Sequence, residues 1–416
     1  MSRSAARSSS STAANKLPRI LLSLGHRDFG LLLLGQTVSI FGNNFFLIAL
    51  PFQLIALGAK PVQLGIAVTL AGVSTLGFLL LGGAIADRAS RRRIILTSDA
   101  IGAVVIAVVA LLAASGRLQV EHLYAAALVL GGTSAFRFPA YTAIITELVP
   151  PELLTEANAA RTLGAALGRT AGPIAAGLVV AYAGTPWAFG IDAFTFVFSF
   201  VAFLAAGATA RPVTAPAPLL QQVREGITFV ASTRWLWMAL VALTFINLSY
   251  GGQIGVMTPL FVRDALGAGA ATFGLVTAAF GLGRMIGGFI LPQLHITRPG
   301  TGMYVFEMVG GLATLGIGLV VWLPATLAFM AVIGLALASS DTLFETMIQR
   351  YVPRTLLGRV TSVNFLLGSL FVPLSPLLAG TLVDLAGPAV TFVIAGFWAA
   401  GIALLLLFIS PVRQLR

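Results

Sequence analysis

Read for apolar and polar positions, the chain is a series of long apolar runs broken by short polar loops. A helix of about 20 apolar residues spans the hydrocarbon core of a bilayer. Twelve runs meet that length: Phe29–Leu57, Gln63–Ala86, Ile94–Ala114, Leu123–Ile145, Ala159–Ala183, Trp187–Gly207, Trp235–Val262, Thr272–Leu291, Gly302–Leu323, Thr326–Ile348, Val360–Leu385 and Ala389–Ile409. The pattern predicts an all-α integral membrane protein of twelve transmembrane helices. The longest internal connection, about Ala208–Arg234, begins Pro-rich (Pro212, Pro216, Pro218). It continues with Leu219, Leu220, Val223, Ile227 and Val230 at the spacing of one helical face, which predicts an amphipathic helix on the membrane surface.

Composition agrees with this pattern. Of 416 residues, 58% are hydrophobic and 9% charged, and the mean hydropathy is +0.97. Soluble domains carry about 25% charged residues, so water-soluble enzyme and DNA-binding classes are disfavoured. The net charge of +11 is not a nucleic-acid signal, because the basic residues sit between the apolar runs. With the N-terminus inside, eighteen Lys and Arg fall in inside segments and three (Lys60, Arg117, Arg263) in outside loops. That bias places both termini in the cytoplasm. The first apolar run is too long for a cleaved signal. There is no cysteine, and His26, His122 and His295 have no ligand spacing, so neither a disulfide nor a metal site is expected.

A shift of 203 residues pairs Asn44 with Asn247, Pro150 with Pro353, Leu154 with Leu357, Pro173 with Pro376, Gly177 with Gly380, Gly184 with Gly387 and Phe189 with Phe392. A local shift of 209 pairs Gly65 with Gly274 and Gly72 with Gly281. Glycine and proline are costly inside ordinary helices, so these matches weigh more than matching leucines would. They predict two pseudo-symmetric six-helix bundles with a site between them. The expected division is a tail (1–27), a first bundle (28–208), a linker (209–234), a second bundle (235–410) and a terminal tail (411–416).

The loop after the second run reads Gly83-Ala84-Ile85-Ala86-Asp87-Arg88-Ala89-Ser90-Arg91-Arg92-Arg93. It resembles the G-x-x-x-D-R-x-G-R-R signature of the major facilitator superfamily, with Ser90 in place of a glycine. The fifth run carries Gly164, Gly168, Gly172-Pro173 and Gly177, and resembles the antiporter motif of exporters, with Ala176 replacing one glycine. Ala49-Leu50-Pro51, Val68–Gly72, Glu225–Phe229 and Leu357–Val360 look like the enterobactin-exporter and macrolide-efflux branch. The resemblance implies a cytoplasmic gate at Gly83, Asp87, Arg88, Arg91 and Arg92. Asp87 would dock near Leu357-Gly358-Arg359, since helix N-termini attract carboxylates. It further implies a cell-membrane efflux antiporter, working without a cofactor and as a monomer, that moves a multidrug or siderophore substrate. Where many branch members carry an acid in helix 1, this chain has Asn43-Asn44.

Ionisable residues inside a membrane are functional candidates by default. Arg137 lies in run four, and Asp341 and Glu345 lie four apart in run ten. The expectation is that they meet when the cytoplasmic side closes and couple transport to protons, with a fixed structural salt bridge as the alternative. Asp99, Arg284 and Glu307 are expected near the cytoplasmic ends, free to snorkel. Asp192 and Asp384 are expected near the outer face, and Arg169 has no assigned partner. Gln36, Asn43, Asn44, Asn247 and Tyr250 are candidate cavity groups, with helix–helix hydrogen bonding as the alternative. No Walker loop, zincin motif or nucleophile elbow is present, so no enzyme activity is expected. An importer or uniporter of the same fold, and a non-transporting receptor or scaffold, remain open on the residues alone.

Overall fold

The computed structural model describes residues 23, 25–86, 90–207, 219–294, 296–409 and 411–414. The described residues are helices joined by tight turns. The first six are α1 (Arg27–Ala56), α2 (Pro61–Ala86), α3 (Arg91–Ala114), α4 (Val120–Leu148), α5 (Leu154–Ala183) and α6 (Thr185–Ala205). The linker contributes α7 (Leu219–Ser232). The remainder are α8 (Arg234–Tyr250), α9 (Thr258–Asp264), α10 (Ala270–Ile290), α11 (Pro299–Leu319), α12 (Leu323–Tyr351), α13 (Leu357–Leu370) and α14 (Leu374–Ile409).

These helices make the twelve expected spans. Two spans are interrupted where continuous helices were expected. The seventh is α8 and α9 joined through a π-helical turn, Gln253–Met257. The eleventh is α13 and the first part of α14, broken at Phe371–Pro373. Within α14, Gly387 adopts φ 79° and ends the eleventh span before Pro388 starts the twelfth. Its repeat mate Gly184 has φ 88° and separates α5 from α6 in the same way. Both conformations lie in the left-handed region that favours glycine.

One end of the molecule carries α7 and the arginine-rich Ser90–Arg93 turn, and is called the basic end below. The other, the far end, carries the turns near Gly58, Gly116, Gly184, Gly267 and Gly387. Within the first six helices, α1 packs on α5 and α6, α2 on α4, and α3 on α4 and α6. Among the later helices, α10 packs on α12, and α11 on α12 and α14. The two sets meet along α5–α10 and α2–α14.

The apolar core is distributed unevenly between the two ends. Toward the far end a single cluster joins both sets and includes Phe45, Leu54, Phe261 and Phe273. Toward the basic end the core divides. Ile94, Tyr141, Ala157 and Phe203 form one cluster, and Leu236, Met303, Phe344 and Val360 another. Among the described residues the core is therefore fused at the far end and separate at the basic end. Around the outside, residues such as Leu111, Phe194, Phe397 and Phe408 are exposed, as lipid-facing positions must be.

Candidate functional site

The far-end seal is built from close backbone approaches. A Cβ on Gly274 would lie 2.2 Å from Pro173 O, and one on Gly177 would lie 2.7 Å from Ala270 O. On the opposite seam a Cβ on Gly65 would lie 2.4 Å from Pro376 O, and one on Gly380 would lie 2.6 Å from Pro61 O. Small residues let helix backbones come this close. Polar ties reinforce the α2–α14 seam. Thr69 Oγ1 donates to Pro373 O at 2.6 Å, which satisfies a carbonyl at the break in the eleventh span. Asp384 Oδ2 accepts from Val62 N at 3.3 Å, a carboxylate at the start of α2. Asp384 thus sits at the far end.

The α5 motif has two faces. Gly164, Gly168 and Gly172 receive α1: Cβ atoms there would lie 2.4 Å from Thr37 Oγ1, 3.0 Å from Ile40 Cγ2 and 2.6 Å from Asn44 Nδ2. Asn44 is buried and donates to Ile40 O at 2.7 Å and Gly168 O at 3.2 Å. It takes the helix–helix role, not the cavity role. Gly177, and the carbonyl of Pro173, serve the other seam against α10.

Between α1, α3, α4 and α6 lies a buried polar network. Arg137 Nη1 is 3.3 Å from Asp99 Oδ1 and donates to Ser39 Oγ at 3.1 Å. Its guanidinium stacks over Phe196 at 5.2 Å from the ring centroid. With its amide oriented to suit its neighbours, Asn43 accepts from Arg137 Nη2 at 3.1 Å and donates to Ser39 O at 3.3 Å. Asp99 Oδ2 accepts from Ser199 Oγ at 2.7 Å and from the Tyr141 hydroxyl at 3.4 Å. Asp99 is fully buried, so the snorkelling position expected for it is wrong. The sequence missed this pair because Asp99 and Arg137 lie 38 residues apart on different helices. Asp192 is also buried, and its Oδ1 has no hydrogen-bond partner among the described residues.

The second half differs. Asp341 pairs with Arg284 of α10 at 3.0 Å, and these side chains are 62% and 42% exposed. Glu345 and Arg169 are exposed too. Arg169, midway along α5, lies within electrostatic range of Arg284 and Arg161. Charges this exposed at membrane depth require water; with the core divided toward the basic end, they mark the gap between the halves as a vestibule that opens there. Arg137 and the Asp341–Glu345 pair are not in contact here. Glu307 is 2% exposed, which again corrects the snorkelling expectation. The Tyr250 hydroxyl turns toward α11 and donates to Glu307 O at 3.5 Å. Gln36 and Asn247 are half-buried, and Gln36 Oε1 has no hydrogen-bond partner among the described residues.

Of the gate residues, Gly83 lies in the last turn of α2, and Asp87 and Arg88 fall outside the described residues. Ser90 caps α3, its side chain accepting from Arg93 N at 3.2 Å. Arg91 pairs with Glu147 at 2.6 Å, and Arg92 donates to Leu204 O at 3.0 Å. Arg359 is engaged by Glu225 of α7. A Cβ on Gly226 would lie 2.9 Å from Arg359 O, so α7 lies directly against α13.

Both broken spans pack at the α2–α14 seam, the core is fused at the far end, and it divides around exposed charges toward the basic end. The sequence model of the Major Facilitator Superfamily matches residues 32–376. The chain belongs to the major facilitator superfamily. As a member it is a multi-pass membrane transport protein and not an enzyme. It is 27% identical over 398 residues to the enterobactin exporter EntS of Citrobacter koseri, covering 94% of each chain. It is 28% identical over 404 residues to the same exporter of Salmonella typhimurium, again covering 94% of each. Among solved structures, a bacterial homologue of the human lysosomal transporter Spinster, inward-facing and unoccupied, superposes with TM-score 0.73 at 15% identity, covering 96% of this chain and 98% of that one. The nucleoside transporter NupG superposes with TM-score 0.71 at 13% identity, covering 92% and 99%. At these identities the structural neighbours show the fold alone.

Proposed function

We propose that the chain is a proton-driven exporter of an amphipathic small molecule, a drug-like compound or a siderophore, in a bacterial inner membrane. The observation that carries this reading is the end-to-end likeness to enterobactin exporters, 94% of each chain. The basic end faces the cytoplasm, in keeping with the eighteen Lys and Arg that the sequence pattern assigns to inside segments against three in outside loops. The substrate enters the vestibule between residues 28–208 and 235–410, and the two bundles rock about the seams to release it at the far end. The linker 209–234 tethers them through Glu225 and Arg359. Asp87 with Gly83, Arg88, Arg91 and Arg92 closes the basic end against the start of α13.

In this cycle Asp341 and Glu345 exchange partners. Asp341 holds Arg284 while the vestibule is open, and the acidic pair turns toward Arg137 as the basic end closes. Protonating a carboxylate weakens such a contact. The test is an accumulation and susceptibility screen of cells with and without the gene, each with and without an uncoupler. Lower accumulation that the uncoupler abolishes is the expected result. Uncoupler-insensitive uptake would overturn the reading in favour of an importer or uniporter.

A further inference from the structure

Glu307 and Asp99 occupy equivalent places in the two halves. Each is the ninth residue of its helix, α3 or α11. Arg137 and Ser340 are each the eighteenth residue of α4 and α12, which are both 29 residues long. Aligning the chain reversals at Gly184 and Gly387 pairs Ser199 with Ile402 in the same way. Tyr141 pairs with Phe344. The three groups that satisfy Asp99, namely Arg137, Tyr141 and Ser199, thus have the counterparts Ser340, Phe344 and Ile402. One hydroxyl replaces a cation and two hydroxyls.

Glu307 is left without a counter-charge by this exchange. It is buried, its Oε2 has no hydrogen-bond partner among the described residues, and the Ser340 hydroxyl beside it is the group that favours its charge. From α12 the charged group facing it is Asp341, which is of like sign and is held by Arg284 of α10. From α8 it faces Tyr250. From α14, the stretch Pro388–Ile409 contains no titratable residue. On α11 itself the other titratable residue is Tyr304, which is buried. The terminal turn that carries Arg413 packs against Gly300, two helical turns away. Ionising a carboxyl in such surroundings is costly, and a proton removes that cost. Ser340 is the chain neighbour of Asp341, so the vestibule begins one residue from the buried acid.

We propose that Glu307 is the proton-carrying residue of the transport cycle: it takes its proton from the far side, still holds it when the vestibule opens, and gives it up into the vestibule past Ser340 and Asp341 before the basic end closes. Its ionised form repels Asp341 and releases it from Arg284, so proton loss favours the partner exchange. This rests on the proton-driven reading above and assigns its carrier to a helix that does not line the vestibule.

The chain has no cysteine, which makes a labelling test direct. Spin labels at Asn158→Cys and Gln349→Cys, both exposed at the basic end of opposite halves, report the vestibule mouth in proteoliposomes by electron–electron distance measurement across pH. The wild-type distance distribution should move with pH. Glu307→Gln should hold one distribution at every pH, and Glu307→Asp should still respond with a displaced midpoint. A Glu307→Gln protein that moves like wild type overturns the inference alone. If that variant does not fold, Glu307→Asp decides, and an unchanged midpoint overturns the inference. A wild-type distribution that ignores pH overturns both the inference and proton coupling. Uncoupler-insensitive efflux beside an intact pH response would sink the proton-driven reading and, with it, the inference that rests on it.

Discussion

Arg137 Nη1 lies 3.3 Å from Asp99 Oδ1, and the carboxylate it meets is entirely withdrawn from solvent. Breaking a buried pair by removing one partner strands a charge and costs ~3–5 kcal/mol. Asp99→Ala should therefore lower the thermal unfolding midpoint in detergent strongly. The double variant Asp99→Ala, Arg137→Met should recover much of that loss, because no charge is left behind. Additive losses in the double variant would show that the two residues act separately.

The α5–α10 seam leaves no room for a side chain at Gly274, where a Cβ would meet Pro173 O at 2.2 Å. Gly274→Leu should force the far end apart. A reporter Asn247→Cys, with no other thiol in the chain, should then react faster with a membrane-impermeant maleimide applied from the far side. Unchanged labelling would mean that the seam can absorb the side chain without opening.

On the α2–α14 seam, Thr69→Val removes the hydrogen bond to Pro373 O, and Asp384→Ala removes the acceptor for Val62 N. Each bond is worth about 1 kcal/mol. Stability should fall only slightly in each variant, while far-side labelling of Asn247→Cys rises in both. A rise in neither variant would place the seal wholly in the glycine contacts.

Glu225 and Arg359 join α7 to α13, and both are about one-third exposed, at 37% and 33%. Exposed pairs contribute roughly 0–1 kcal/mol. Glu225→Ala should barely alter the melting point. Glu225→Arg sets two cations face to face and should slow transport, and the swap Glu225→Arg, Arg359→Glu should restore it. If the swap fails to restore transport, the ion pair is not what positions the linker.

The helical spans were legible because lipid imposes one rule on every one of them, an apolar run of fixed minimum length. The interruptions at Gln253–Met257 and Phe371–Pro373 were not legible. They depend on contacts: Gly252 packs against Ala379 and Ser375, and Thr69 takes up a carbonyl of the break. The site residues divide in the same way. Arg137 stood out as a charge inside a membrane helix, but its partner did not. Asp99 and Glu307 looked like end-of-helix acids because depth counted from a loop does not say which way a side chain points.

The sequence by itself determined the twelve spans, the direction of the charge bias, the 203-residue repeat and the superfamily signature. Each is written in a local period or in a residue type that the membrane tolerates only at certain places. Tertiary structure alone decided which end is sealed, that Asn44 ties α1 to α5, and that two repeat-related acids meet opposite surroundings. Those outcomes depend on which face of one helix meets which face of another. A repeat conserves the placement of Asp99 and Glu307 along their helices, and packing decides that one finds an arginine and the other a serine.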